Sequence, residues 1–344
     1  MGKQIYRYTN SFPLESGESL PSLEIAYHTY GELNKKKDNV IWICHALTAS
    51  SDAADWWGGL VGAGKIFDTT KYFIVCPNIL GSCYGSSGPL SINPTTGRKY
   101  YSAFPQVTIR DLVNAHILLR KHLGIEKIFI GTGGSMGAYQ LLEWVLMEQK
   151  VFARLTLMNT SVRESAWGIA IHTAQRLAIE ADSTWKKESD EAGAKGLKAA
   201  RAIGMLTYRN YNTFSEQQSD DNHNKLDDFK ASSYIIFQGE KLVKRFCAQS
   251  YWLLTKTMDS HNLLRGRNQK SKINNLEDIL KQIKVKTLVI GISSDILCPN
   301  AEQKFLARHL PNATLKIIDS SYGHDGFLIE WEKLTKAIHS FLKK

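Results

Sequence analysis

Apolar residues recur along this chain in two rhythms. Short continuous runs at 40–44, 72–76, 127–130, 155–158, 287–290 and 314–318 are rich in Val, Ile, Leu and aromatics. They suit strands buried on both faces. Between them, residues 108–123 carry the helical spacing, with Thr108 as N-cap, Asp111 at the capping-box position and Gly124 as the stop. A second helical pattern follows Ser135, through Leu141, Leu142, Trp144, Val145 and Leu146. Residues 12–30 read as a hairpin turning at 15–18.

From 162 to 284 the rhythm changes. Ala, Lys, Gln, Glu and Asp dominate, and helical periodicity is visible at 169–179, 197–208 and 242–255. The polar stretch 215–228 reads as a loop. Strand-like runs resume after it, so this is an insert within a sheet rather than an appended domain. The pattern predicts an α/β protein with a mostly parallel, doubly wound sheet. Residues 1–161 and 285–344 form the core, and 162–284 form a helical lid. Ligands of such sheets bind where the strands end.

Composition narrows the class. The 344 residues have 43% hydrophobic and 22% charged content, which is ordinary for a globular protein. The net charge of +10 comes from scattered Lys and Arg with no basic arm, which argues against a nucleic-acid reader and is compatible with an anionic substrate. Five cysteines, odd in number and without a C-x-x-C pair, suit buried thiols in a reducing compartment. The first ten residues lack a signal-peptide core, and Tyr6 stands where a myristoylation signal wants Ser or Thr. No run is long enough to span a bilayer. A soluble cytoplasmic protein with no membrane partner is expected.

The candidate chemistry centres on Gly133-Gly134-Ser135-Met136-Gly137, between an apolar run and a helical pattern. Glycine–x–serine–x–glycine in that setting is the nucleophile-elbow pattern. A serine needs a base, and the base needs an orienting acid. His324, in Ser321-Tyr322-Gly323-His324-Asp325-Gly326 after the last strand-like run, is the candidate base; His116 and His122 lie on a predicted helix. Asp295, in the loop after 287–292, is the favoured acid over Glu164 and Asp319, with Asn300 expected to cap the following helix. The order Ser135, Asp295, His324 is that of α/β-hydrolases. Acyl chemistry also requires oxyanion donors, expected from the amides of Met136 and Leu47. Zinc, P-loop and dinucleotide signatures are absent from the sequence.

Several separated stretches together resemble the homoserine O-acetyltransferases of methionine biosynthesis, on the α/β-hydrolase fold. They are His45-Ala46-Leu47-Thr48, residues 76–89, the elbow with Glu143-Trp144, residues 196–209, Ile292-Ser293-Ser294-Asp295 and residues 322–328. The resemblance implies that acetyl-CoA, a co-substrate rather than a bound cofactor, acetylates Ser135. Homoserine, deprotonated by His324, then takes the acetyl group. It also implies amino-acid contacts at Arg201, Tyr208 and Asp325, and a homodimer formed through the lid. Ala138 and Tyr139 stand where the family usually has glycine and methionine, and Ser82 replaces a usual glycine. Those departures leave a succinyl donor or a serine acceptor as alternatives. A carboxylic-ester hydrolase using the same three residues is a further one.

Overall fold

A computed structural model describes residues 2–267 and 273–343. Its main sheet contains β1 (Gln4–Tyr8), β2 (Leu23–Tyr30), β3 (Val40–Cys44), β4 (Phe73–Pro77), β5 (Ile130–Gly134), β6 (Arg154–Met158), β7 (Lys286–Ile292) and β8 (Ala313–Ile318). The order is β1-β2-β4-β3-β5-β6-β7-β8. The pairs β1–β2 and β2–β4 are antiparallel, and β3 to β8 run parallel.

Side-chain alternation divides the core. All of β3 is buried: Trp42 and Cys44 face one apolar cluster, while Ile41 and Ile43 face the other. Each fully buried aliphatic side chain of this kind contributes about 1.5–3 kcal/mol. Helix α1 (Ile109–His122) starts from the expected Thr108–Asp111 capping box, and α2 (Met136–Met147) follows the elbow. The range 162–284 contains α3 (Ala166–Glu180), α4 (Ala194–Tyr208), α5 (Tyr211–Gln218), α6 (Lys230–Val243) and α7 (Ala248–Asp259). Helices α8 (Leu276–Lys281), α9 (Asn300–His309) and α10 (Trp331–Leu342) complete the chain.

Several local expectations are corrected. The strand 23–30 pairs with Gln4–Tyr8, whereas Phe12–Pro13 pairs only with Ser19–Leu20. The elbow strand lies three residues later than the apolar run 127–130 suggests. Its glycines belong to the ladder, because a Cβ on Gly131 would meet Leu141 and Phe152 at 2.9 Å. The polar stretch 215–228 begins inside α5, where the Asn210 side chain accepts the Asn212 and Thr213 amides. The periodic run 242–255 is broken because Cys247 caps α7 and α6 ends at Val243.

Within the expected insert, 162–284, two segments distant in sequence come together near 163 and 262. Arg163 and Asn262 form a backbone bridge there, flanked by Glu164 N–H to His261 O and Leu263 N–H to Val162 O. Residues 268–272 of that range lie outside the described residues. Among the described residues, no helix is long and apolar enough to cross a membrane.

Candidate active site

The site forms at the switch point of the sheet, where β3 has β4 on one side and β5 on the other. Cys44 is in register with Gly133, so the loops carrying Leu47 and Ser135 leave the sheet side by side. Ser135 has φ 54° and ψ −128°, a conformation glycine adopts readily and serine does not. The surrounding glycines permit the turn. A Cβ on Gly137 would stand 2.1 Å from the Cys44 carbonyl oxygen, and one on Gly134 would stand 2.5 Å from the Phe327 ring.

His324 Nδ1 lies 2.7 Å from Asp295 Oδ2, with both groups buried. The two Asp295 oxygens have separate duties. Oδ1 accepts the Leu297 and Cys298 amides at 2.8 and 2.9 Å, while Oδ2 takes the histidine and Asn159 Nδ2, the latter at 2.7 Å. Asp295 therefore holds its own turn as well as the ring. The expected cap by Asn300 does not form: Pro299 precedes α9 and no side chain caps it. Asp319 instead accepts from Ser293, and Glu164 accepts from Tyr139.

Burial alone would pull the His324 imidazole below its ordinary 6.5. The charge and hydrogen bond of Asp295, followed by Asp325 and Glu164, outweigh it, and the net shift is upward. Among the described residues, the Ser135 hydroxyl makes no hydrogen bond to that ring. Both residues line one cavity of about 500 Å³, together with Leu47, Arg201, Tyr208 and Asp325. Six of the sequence-selected residues thus share one space. Catalytic hydrogen bonds in unliganded enzymes often tighten only when substrate arrives.

Leu47 and Met136 are buried residues, and among the described residues their backbone amides have no hydrogen-bond acceptor. A buried N–H without a partner is costly, so two such groups beside a serine suit an incoming oxyanion. The Leu47 loop is held from behind. His45 Nε2 accepts the Ile79 amide at 3.1 Å, and Nδ1 donates to the Ala46 carbonyl at 2.8 Å. Burial lowers the His45 ring to about 4, which keeps it neutral. His116 also serves structure: it accepts from Trp42 Nε1 and bonds Gln140, whose Nε2 reaches the His45 and Met136 carbonyls.

Arg201 and Tyr208 lie on α4, with the guanidinium 5.3 Å from the ring centroid. Among the described residues, the buried Arg201 Nε has no hydrogen-bond partner. Tyr208 in turn sits 5.8 Å from the His324 ring. Asp325 has a partner the sequence reading did not assign, since Arg209 Nη1 stands 3.2 Å from its Oδ2. Asn159 is a second omission; its signal is its position directly after β6, where φ is 46°. Ligand-capable atoms of Asp295, Cys298 and His324 fall within 4.8 Å of one another. Burial holds the Cys298 thiol well above its usual range, and the other two are engaged with each other, so this is a poor metal set.

A family model for the α/β-hydrolase fold matches residues 39–330. The homoserine O-acetyltransferase of Cyclobacterium marinum is 47% identical over 341 residues, covering 99% of this chain and 95% of that protein. That of Chlorobium luteolum is 46% identical over 345 residues, covering 98% and 93%. Among solved structures, homoserine O-acetyltransferase from Bacillus anthracis aligns with a TM-score of 0.89 at 24% identity, covering 100% of this chain and 98% of that one. Esterase E22 aligns at 0.88 and 24%, covering 99% of each. At that identity the two solved structures speak to the fold alone. Sequence identity near one half over the full length carries the assignment: the chain belongs to the homoserine O-acetyltransferase family, on the α/β-hydrolase fold.

Proposed function

We propose that the protein transfers the acetyl group of acetyl-CoA to the hydroxyl of L-homoserine, releasing CoA and O-acetyl-L-homoserine. The observation that carries this reading is the company of Ser135 and His324. Arg201 and Asp325 line the same cavity and supply opposite charges suited to an amino acid's carboxylate and ammonium.

In the first half-reaction the Ser135 oxygen attacks the thioester carbon while His324 accepts its proton. The oxyanion rests on the Leu47 and Met136 amides. The C–S bond breaks and the proton passes to sulfur, leaving acetyl-Ser135 and CoA thiol. In the second, His324 takes the homoserine hydroxyl proton, the new ester forms, and Ser135 recovers its hydrogen. Asp295 orients the ring and stabilises its charged form.

The α3–α7 insert acts as a lid, carrying Arg201 over the serine and limiting water at the acyl-enzyme. Trp167, Leu177, Leu206, Tyr211, Ile236 and Phe237 are at least half exposed on it, an apolar surface that supports a homodimer through this lid. A cytoplasmic location fits five free cysteines.

Esterase E22 shares the fold, so ester hydrolysis is the reading to exclude. Thiol release from acetyl-CoA should depend on L-homoserine and yield O-acetylhomoserine by mass spectrometry. Release at the same rate without homoserine would overturn the transferase reading.

A further inference from the structure

Ser135 opens onto a second, much smaller void. It measures about 30 Å³, and its walls include Leu47, Tyr139, Glu164, His172, Met258 and Leu297. One water molecule needs about 10–15 Å³ of such space, so the void takes a small group of methyl size and little more.

The tetrahedral carbon on Ser135 has four substituents to place. One is the serine oxygen, and one is the oxyanion, directed to the Leu47 and Met136 amides. The third is the leaving sulfur or the attacking homoserine oxygen, which must lie near His324 in the large cavity. The fourth is the acyl chain, and the small void is the remaining space at the serine.

Resting on the reading of Ser135 as the acylated residue, we propose that this void gauges the donor: it accepts the acetyl methyl, while Tyr139, Met258 and Leu297 exclude longer chains. The walls are braced. Tyr139 stacks on His261 with centroids 4.0 Å apart, and its hydroxyl contacts Ser161 and Glu164 at 3.3 and 3.2 Å. Asp259 holds His172 at 2.8 Å and is itself held by Arg176 at 2.6 Å. Tyr139 and Met258 are 3% and 5% exposed, so neither can swing out to solvent without disturbing the core. Tyr139, where the family usually has methionine, therefore replaces a flexible side chain with a rigid one. A succinyl group, with its methylenes and terminal carboxylate, exceeds the space.

The test is rapid mixing of the full-length enzyme with acetyl-, propionyl- or succinyl-CoA, followed by intact-protein mass spectrometry of the Ser135 adduct. The wild type should acylate from acetyl-CoA at least about tenfold faster than from propionyl-CoA, the usual discrimination against one methylene. Succinyl-CoA should be slower still. Met258→Ala, and independently Leu297→Ala, should raise the propionyl-to-acetyl rate ratio by about tenfold. Equal wild-type rates for acetyl and propionyl donors would overturn the gauge without need of any variant. So would an unchanged ratio in both folded variants. A wild type that forms no adduct with acetyl-CoA would instead remove the nucleophile assignment itself.

Discussion

Arg209 Nη1 lies 3.2 Å from Asp325 Oδ2, joining the residue after α4 to the one after the candidate base. Burial raises the Asp325 carboxyl above its ordinary 3.8, and Arg209 is the foremost group opposing that rise, ahead of His324 and Arg201. Arg209→Met should leave the carboxyl less ionised and less fixed. The expected result is a homoserine KM raised about tenfold, equivalent to about 1.4 kcal/mol. The KM for acetyl-CoA should move less than about twofold. Steady-state kinetics with each substrate varied would check this, and equal rises would assign Arg209 to general lid placement.

The pH dependence follows from His324. Its pKa is raised above 6.5, and it must be neutral to take a proton, so kcat/KM should fall as pH drops through a value above 6.5. Folding runs the opposite way: a raised histidine contributes stability that is full below 6.5 and fades as pH rises through the folded value. Asp295→Asn should move the acid limb of the rate profile to lower pH and cut kcat by about 10⁴. A pH–rate profile whose acid limb did not move would dissociate Asp295 from the base.

At Ser135, function and stability pull apart. With φ at 54°, the residue holds a backbone conformation costing about 1–3 kcal/mol for a side-chain-bearing residue. Ser135→Gly should therefore raise the unfolding free energy by about 1 kcal/mol while abolishing acylation. Urea melts alongside adduct mass spectrometry would show both. A glycine variant less stable than wild type would mean the serine side chain is compensating elsewhere.

Glu143 is fully buried on α2 and is met by Arg110 at 3.1 Å and Arg267 at 2.6 Å. Removing Glu143 takes from both guanidiniums the buried carboxylate they share, while Arg110 keeps Glu15 at 2.5 Å. Glu143→Ala should cost about 3–5 kcal/mol in unfolding free energy. KM values in the folded fraction should stay near wild type, since this cluster lies outside the cavity of Ser135. Chemical denaturation paired with kinetics separates the two effects.

Local chemistry explains what could be read from the chain. The runs at 40–44 and 155–158 are apolar because strands covered on both faces exclude polar side chains, and they appear as β3 and β6. The elbow was visible because a turn this tight tolerates few side chains. Arg209, Asn159 and the bracing of Tyr139 were not visible. Each depends on a partner far along the chain, and a polar residue on a helix or loop looks the same whether it meets water or a buried carboxylate.

The sequence by itself determined the layered α/β class and the capped α1, and it selected Ser135, Asp295 and His324 in their order as the candidates. Glycine spacing, hydrophobic period and turn chemistry are local properties, and each restricts the backbone directly. Only the tertiary structure decided that β1 rather than residues 12–14 borders β2, and that Asp295 divides its oxygens between a turn and a ring. It alone set a void of about 30 Å³ beside the serine. Distances between side chains remote in sequence are products of packing, in which dozens of residues from both apolar clusters take part.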